Sequence, residues 1–399
     1  MKVLSYIIPF ACLSLMTVAC NDIVEVDKIL SQENRPSTGA PVVDRVVLAT
    51  DTTMPITVAA FEQVVRFQGS NLGDVTSVKF NDVEVDPKEI YSSYECLLAP
   101  VPRQLPGEVT NMVYIVTEHG SIETPLEITI PPLTIDGMYN EFAQPGDTTI
   151  ISGDNFDLYG ITAEEADVRF GQIPVNILEA TRTELTLQIP QNVTPGSQLS
   201  IQGGQMDEPT MLTYADPGIS QLFDFNDWPG YGAFTHASQF PDAPANFLWD
   251  ESIINEEEGD PLPLADGMKY IRFQGTVGAW GWMVMWAGYI DVPAEVAANP
   301  ADYDMRFEMN NTTAYPIASA ARIMFGNFGW YPAGDGVPVN TRGKWMTVRI
   351  PCNTIDREGN QLIPNGVDPS TLFAFTIVFS PESEQTFDVA FCNFRFVKR

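Results

Sequence analysis

One short pattern occurs twice in the first half of this chain. The first copy runs Val65-Arg66-Phe67-Gln68-Gly69-Ser70-Asn71-Leu72, then Val78-Lys79-Phe80-Asn81. The second runs Ile150-Ile151-Ser152-Gly153-Asp154-Asn155-Phe156, then Val168-Arg169-Phe170-Gly171. In each copy an apolar strand ends at Gly-x-Asn-apolar, a loop follows, and a short Val-basic-Phe strand runs into a turn. Gly and Asn tolerate positive φ, so these positions read as turns. A Pro-bounded apolar segment comes next, from Leu97 to Pro102 in one copy and from Leu185 to Pro190 in the other. Short strands punctuated so often by turn residues predict small β-sandwiches.

The Gly-x-Asn-Leu turn followed by a Val-x-Phe strand resembles the IPT/TIG immunoglobulin-like domain. The resemblance covers about residues 41–131 and 132–216. It implies two tandem immunoglobulin-like sandwiches that act as spacers, and neither contains a tryptophan.

A linker at Asp216-Pro217-Gly218 opens a third domain, residues 219–399. Its strands are legible by parity. From Tyr303 to Asn310 the odd positions are apolar and the even positions polar, a half-buried strand of period two. That assigns the odd face to the core, and Arg306, Glu308 and Asn310 to solvent or ligand. Leu372 to Phe379 carries Phe373, Phe375, Ile377 and Phe379 on one face, and another strand runs from Phe387 to Val397. No stretch reads as a long amphipathic helix, so the expectation is an all-β chain whose C-terminal domain is a jelly-roll-like sandwich.

All seven tryptophans lie between 228 and 345, within this domain. Indole rings offer flat, electron-rich faces, and sugars present C–H faces that stack on them. Trp280, Trp282 and Trp286 share one parity of the segment from Val277 to Ile290, while Met283 and Met285 share the other. Methionines fill irregular cores and buried indoles need hydrogen-bond partners, which favours the tryptophan face for ligand. The alternative is that this tryptophan row packs inside the sandwich. Trp330 and Tyr331 sit among Gly326, Gly329, Pro332 and Gly334, which reads as a loop suited to stacking; the alternative is a loop anchor. Parity turns Trp345 outward with Thr347 and Arg349, although such a tryptophan is often structural, and its role stays open. Trp228 lies at a turn, and Trp249 has no informative context.

The N-terminus carries Lys2, an apolar run to Ala19, and Cys20, which reads as a signal peptide over residues 1–19. Thr17-Val18-Ala19-Cys20 resembles a bacterial lipobox, with Cys20 lipidated. The acidic Asp22, Glu25 and Asp27 resemble the surface-export signal of Bacteroidetes lipoproteins, and residues 20–40 read as a flexible tether. A formal charge of −31 disfavours nucleic acid and strongly anionic polysaccharides as partners. Cys96, Cys352 and Cys392 show no CxxC spacing, and whether Cys352 pairs with Cys392 is open. The two histidines, His119 and His236, fall in different domains, so no metal site or Ser-His-Asp triad is expected. No cofactor is expected. A structural calcium would suit such a sandwich, but no twelve-residue Asp-rich loop is present.

An anchor signal, tandem TIG-like domains and a tryptophan-rich C-terminal sandwich together resemble the cell-surface glycan-binding proteins (SGBP-B type) of Bacteroidetes polysaccharide-utilisation systems. The resemblance implies a non-catalytic lipoprotein on the outer face of the outer membrane. It would capture a neutral polysaccharide, a β-glucan or hemicellulose, alongside a TonB-dependent transporter and its SusD-like lid. Two other readings are a surface glycoside hydrolase and an adhesin that binds a protein. Acidic pairs abound, and Glu256-Glu257-Glu258 reads as a solvated loop, so carboxylates alone do not argue for hydrolysis.

Overall fold

The computed structural model describes residues 35–222, 262–265, 267–281, 283–312, 321–333 and 339–399. The signal peptide, Cys20 and most of the tether, Trp228, Trp249, Glu256 to Glu258 and Trp282 lie outside them. The described chain is almost entirely β and forms two compact units that divide between Leu133 and Thr134.

The first unit contains β1 (Val42–Leu48), β2 (Val58–Ala60), β3 (Val64–Ser70), β4 (Val75–Phe80), β5 (Val83–Glu84), β6 (Tyr91–Ser92), β7 (Cys96–Pro100), β8 (Met112–Thr117), β9 (Gly120–Pro125) and β10 (Glu127–Thr129). Its sheets are ordered β1-β3-β7-β6 and β5-β4-β8-β9, with a parallel β2–β10 pair beside them. Val65, Phe67, Val78, Phe80, Leu97 and Ile115 fill the space between, placed there by strand alternation. The chain is held from residue 35 onward, so the tether ends earlier than its composition suggested. Asn71 accepts from the Thr38 N–H and donates to the Ala40 carbonyl, and Arg35 stacks over Tyr94.

The second unit begins with a near copy of this sandwich: β11 (Thr134–Met138), β12 (Thr148–Asp154), β13 (Asp167–Phe170), β14 (Ile173–Pro174), β15 (Asn176–Ala180), β16 (Glu184–Gln188), β17 (Gln198–Gln202) and β18 (Thr210–Thr213). Its orders, β11-β12-β16-β15 and β14-β13-β17-β18, repeat those of the first strand for strand. The sequence motif now has a physical cause. A Cβ on Gly69 would lie 1.9 Å from the Val42 carbonyl oxygen, and one on Gly153 would lie 2.1 Å from that of Thr134. Two residues on, Asn71 and Asn155 take φ of 55° and 67°, which Asn adopts at low cost. The turn then drops Leu72 and Phe156 into the core.

The rest of the unit comprises β19 (Ser220–Gln221), β20 (Ile271–Val277), β21 (Met283–Asp291), a short helix α1 (Ala294–Ala298), β22 (Tyr303–Asn311), β23 (Ala321–Phe325), β24 (Phe328–Trp330), β25 (Met346–Pro351), β26 (Leu372–Phe379) and β27 (Gln385–Lys398). One sheet runs β20-β27-β22-β25, with β19 also on β27; the other runs β21-β26-β23-β24. Counted from β20, these are the 1-8-3-6 and 2-7-4-5 orders of a jelly roll. The odd face of β22 (Tyr303, Met305, Phe307, Met309) packs against Phe375, Ile377 and Phe379 of β26, as parity predicts. Cys352 and Cys392 are both buried here as free thiols.

The even face of β22 corrects the expectation of a solvent or ligand surface. Asp304, Glu308 and Asn310 are buried and Arg306 is half-buried, because this face meets the preceding sandwich. From the segment after β11, Glu141 inserts its carboxylate, 2 % exposed, among three arginines. It lies 2.7 Å from Arg306, 2.9 Å from Arg349 and 2.7 Å from Arg395. Glu308 receives Arg395 Nη1 at 2.9 Å and Asn393 Nδ2 at 2.9 Å. Thr347 accepts from the Glu141 N–H and donates to Glu308, joining the two carboxylates. Main-chain bonds continue the seam: the Thr347 N–H donates to Tyr139 O at 2.7 Å, and Gln144 Nε2 donates to Leu264 O at 3.0 Å. Burial works against the Glu141 charge, but Arg349, Arg306 and Arg395 hold its carboxyl below the usual range. Burial pushes Glu308 up to about 7, with Arg395 offsetting only part of the effect and Glu141 adding to it.

Removing one member of a buried ion cluster leaves the others uncompensated. Glu141→Ala therefore leaves Arg349 without a carboxylate among the described residues and Arg306 and Arg395 with one each, Asp304 and Glu308, and should destabilise the second unit by about 3–5 kcal/mol. Urea unfolding checks this; a cost under about 1 kcal/mol, the surface-pair range, refutes it. Glu308 carries a pH signature. Its folded value of about 7 lies above the ordinary 4.5, so the fold favours the protonated form. This term is absent below pH 4.5, grows against stability as pH rises to about 7, and is then constant. Compared with Glu308→Gln, the native chain should lose on the order of 3 kcal/mol across that window. Parallel pH profiles of the two proteins would contradict it.

Candidate functional site

With the outer face of the β20-β27-β22-β25 sheet occupied by this seam, the β21-β26-β23-β24 sheet carries the remaining candidates. Trp280 lies in the turn between β20 and β21. It is 69 % exposed, with φ of 58°, and its N–H donates to Pro381 O at 2.7 Å beyond the end of β26. An exposed indole on a left-handed backbone costs conformational energy and apolar hydration, so a use for it is expected. Trp286 sits on edge strand β21 opposite Thr376, and Met285 opposite Ile377. Ile377 is in the core and Thr376 is half-buried.

Trp330 is not in a loop. It is the last residue of β24, paired with Ile323, and its ring meets the core residue Phe307 edge-on at 5.3 Å and 80°. Gly326 and Pro332 flank a three-residue strand that contains Gly329, in place of one long loop. Its ring is thus spent largely on packing. Trp345 is also inward, against parity, because the strand begins only at Met346. It is 7 % exposed, its Nε1–H donates to Leu262 O at 2.6 Å, and it packs edge-on to Tyr270.

Tyr331 turns the other way. A Cβ on Gly329 would meet the Tyr331 ring at 3.2 Å, so the phenol fills the place of a side chain at Gly329. Gly329 stands opposite Met324, which stands opposite Thr376, so this ring lies at the margin of the outer face. Arg357 stacks on it, 3.3 Å from the ring centroid. Asp356 holds Arg357's loop against β24 by accepting the Gly329 N–H at 2.9 Å. Burial opposes the Asp356 charge, but N–H donors from Gly329, Asn360 and Glu358 keep its carboxyl below the usual range.

The structure therefore separates the predicted residues into two groups. Trp280 and Tyr331 fall at the same end of one sheet, on its two edges, where the ladder closes with Met283 opposite Phe379 and Phe379 opposite Ala321. Four strands at about 4.8 Å spacing set those edges roughly 14 Å apart. Arg306 and Asn310 are on the other sheet, so both are withdrawn from the site: Arg306 pairs with Glu141 and Asp304. Asn310 is buried, with no hydrogen bond to its Oδ1 among the described residues. Sequence reading missed Arg322, Met324, Thr376 and Arg357. Alternation along Arg322-Ile323-Met324-Phe325 could have placed the first two on an outer face, but the Arg357 stack has no local signal. Among the described residues, no group of His, Cys, Asp or Glu is placed to hold a metal ion.

These placements move Trp330 from stacking to packing and leave Trp280, expected on the ligand face, exposed. Trp330→Ala should cost roughly 2–4 kcal/mol of stability, somewhat below truncation of a fully buried aromatic ring. Trp280→Ala should leave the melting temperature within about 2 °C of the parent, the range of a surface change. Thermal melts that reverse this order would show that the rings are placed otherwise.

Comparison with known proteins adds the following. Residues 215–398 match the family model for the surface glycan-binding protein B xyloglucan binding domain, and residues 133–214 match that for the IPT/TIG domain. Curated protein sequences give no significant match. Among solved structures, the chain is similar to surface glycan-binding protein PbSGBP-B from Prevotella bryantii at 19 % identity, covering 91 % of this chain and 99 % of that one, with a TM-score of 0.47. It is similar to SGBP-B from a complex xyloglucan utilization locus in Bacteroides uniformis at 18 % identity, covering 90 % and 100 %, with a TM-score of 0.40. A mixed-linkage glucan utilization locus SGBP-B from Bacteroides ovatus, in complex with a mixed-linkage heptasaccharide, matches at 13 % identity, covering 86 % and 73 %, with a TM-score of 0.27. The two family models run without a break from the immunoglobulin-like sandwich through the jelly roll, so residues 215–398 match a glycan-binding domain and residues 133–214 an IPT/TIG domain.

Proposed function

We propose that this protein captures a neutral β-glucan chain of the xyloglucan or mixed-linkage type, and does so without cleaving it. The observation that carries the reading is the xyloglucan-binding-domain match over the jelly roll, whose outer sheet end presents Trp280 and Tyr331. Two aromatic groups about 14 Å apart suit an extended polymer better than a single sugar. Binding without hydrolysis is supported by the state of the buried carboxylates. Glu141, Glu308 and Asp388 are all committed to arginines, rather than poised as an acid and a base across a cleft. In this reading Cys20 is lipidated and holds the protein on the outer face of the outer membrane, beside a TonB-dependent transporter and its SusD-like lid.

Affinity electrophoresis of the full chain, without its signal, against xyloglucan, mixed-linkage β-glucan and an unrelated α-glucan tests the reading. Retardation by a β-glucan, with no release of reducing ends, is expected; no retardation, or cleavage, refutes it. Trp280→Ala should weaken retention by about tenfold or more, by analogy with loss of one aromatic stacking partner. In cells, Cys20→Ala should leave the membrane fraction, because acyl chains supply the anchoring energy in this reading; unchanged retention would contradict the anchor.

A further inference from the structure

The jelly roll and its C-terminal residues contain eight arginines, and most are neutralised. Arg272 pairs with Asp388; Arg306, Arg349 and Arg395 pair with Glu141; Arg342 pairs with Glu184; and Arg399 pairs with Asp304. Arg322 and Arg357 have no carboxylate partner and no side-chain hydrogen bond among the described residues. In a chain of net charge −31, where acids outnumber bases 52 to 21, two guanidinium groups without a carboxylate among the described residues stand out. Both belong to one corner. The Arg357 guanidinium carbon lies over the Tyr331 ring, 3.3 Å from its centroid. Arg322 flanks Ile323, the partner of Trp330, so it stands beside the next β24-side position, that of Tyr331. Ile323 faces the core, so alternation turns Arg322 to the outer face, where the Tyr331 ring also lies.

We infer that Tyr331, Arg357 and Arg322 form a sugar subsite in which the two guanidinium groups donate to oxygens of the bound glycan. This rests on the glycan-binding reading above and names residues that set its specificity. Stacking on Tyr331 and the Asp356 clamp pre-orient the planar fork of Arg357, so little side-chain entropy remains to be lost on binding. The acceptors are paired sugar oxygens, supplied either by neighbouring hydroxyls or by the carboxylate of an acidic substituent.

The test uses the full chain without its signal, with xyloglucan, mixed-linkage β-glucan and a glucuronic-acid-bearing xylan as probes in affinity gels and calorimetry. Arg357→Ala and Arg322→Ala should each weaken binding by about tenfold or more, the range for a hydrogen bond from a charged donor, with melting temperatures unchanged. Arg357→Lys keeps the charge but loses the fork, and should not restore binding. Tyr331→Phe should retain affinity and Tyr331→Ala should lose it. If hydroxyls are the acceptors, the neutral glucans bind with little change between about 0.15 M and 1 M salt; if a carboxylate is, the acidic xylan binds and weakens steeply over that range. Parent-like binding of both alanine variants, with parent binding intact, overturns the subsite and leaves the glycan reading standing. Failure of the parent to bind any probe overturns both.

Discussion

The architecture of the second unit turns on one carboxylate. Glu141 leaves an immunoglobulin-like sandwich and enters the outer face of a jelly-roll sheet, where Arg306, Arg349 and Arg395 converge on it. No one of these charges could be buried alone, since isolated ions lose several kcal/mol of hydration. Together with Glu308 and Asp304 they form one buried polar cluster, closed by Thr347 and Asn393. The ion pairs of Glu141 are directional and tie one sandwich to the other.

This has a consequence for function. A jelly roll has two outer faces. Here the polar face of β22, β25 and β27 is spent on the neighbouring sandwich, and in the proposed function the face of β21, β26, β23 and β24 takes the ligand. The immunoglobulin-like sandwich is then more than a spacer: it supplies the counter-charge for residues that belong to the binding domain. The same division explains the arginines. Those on the first face are neutralised, and Arg322 and Arg357, without a carboxylate partner among the described residues, stand on the second beside Tyr331.

Much of the fold was readable before any coordinates. The repeated Gly-x-Asn turn reports a steric fact, a carbonyl oxygen about 2 Å from where a Cβ would sit on Gly69 or Gly153. Parity correctly assigned the core faces of β22 and β26. Parity pointed the wrong way at Trp345, and the Gly and Pro around Trp330 read wrongly as a loop, for a common reason. Alternation holds only inside a strand, and both residues sit at strand termini, where tertiary contacts with Tyr270 and Phe307 decide the direction of the ring.

What sequence alone determined was everything set by local sterics and period: an all-β chain, the twin sandwiches, the jelly-roll core and the segment rich in exposed and buried indoles. What only the tertiary structure decided was which polar face is interface and which is site. Arg306 and Asn310 look like ligand residues in one dimension because a polar strand face has the same pattern whether it meets water, a sugar or another domain. The partner that distinguishes these cases, Glu141, lies 165 residues away from Arg306 along the chain. Such a pairing leaves no local mark, because its energy comes from the burial that the fold itself creates.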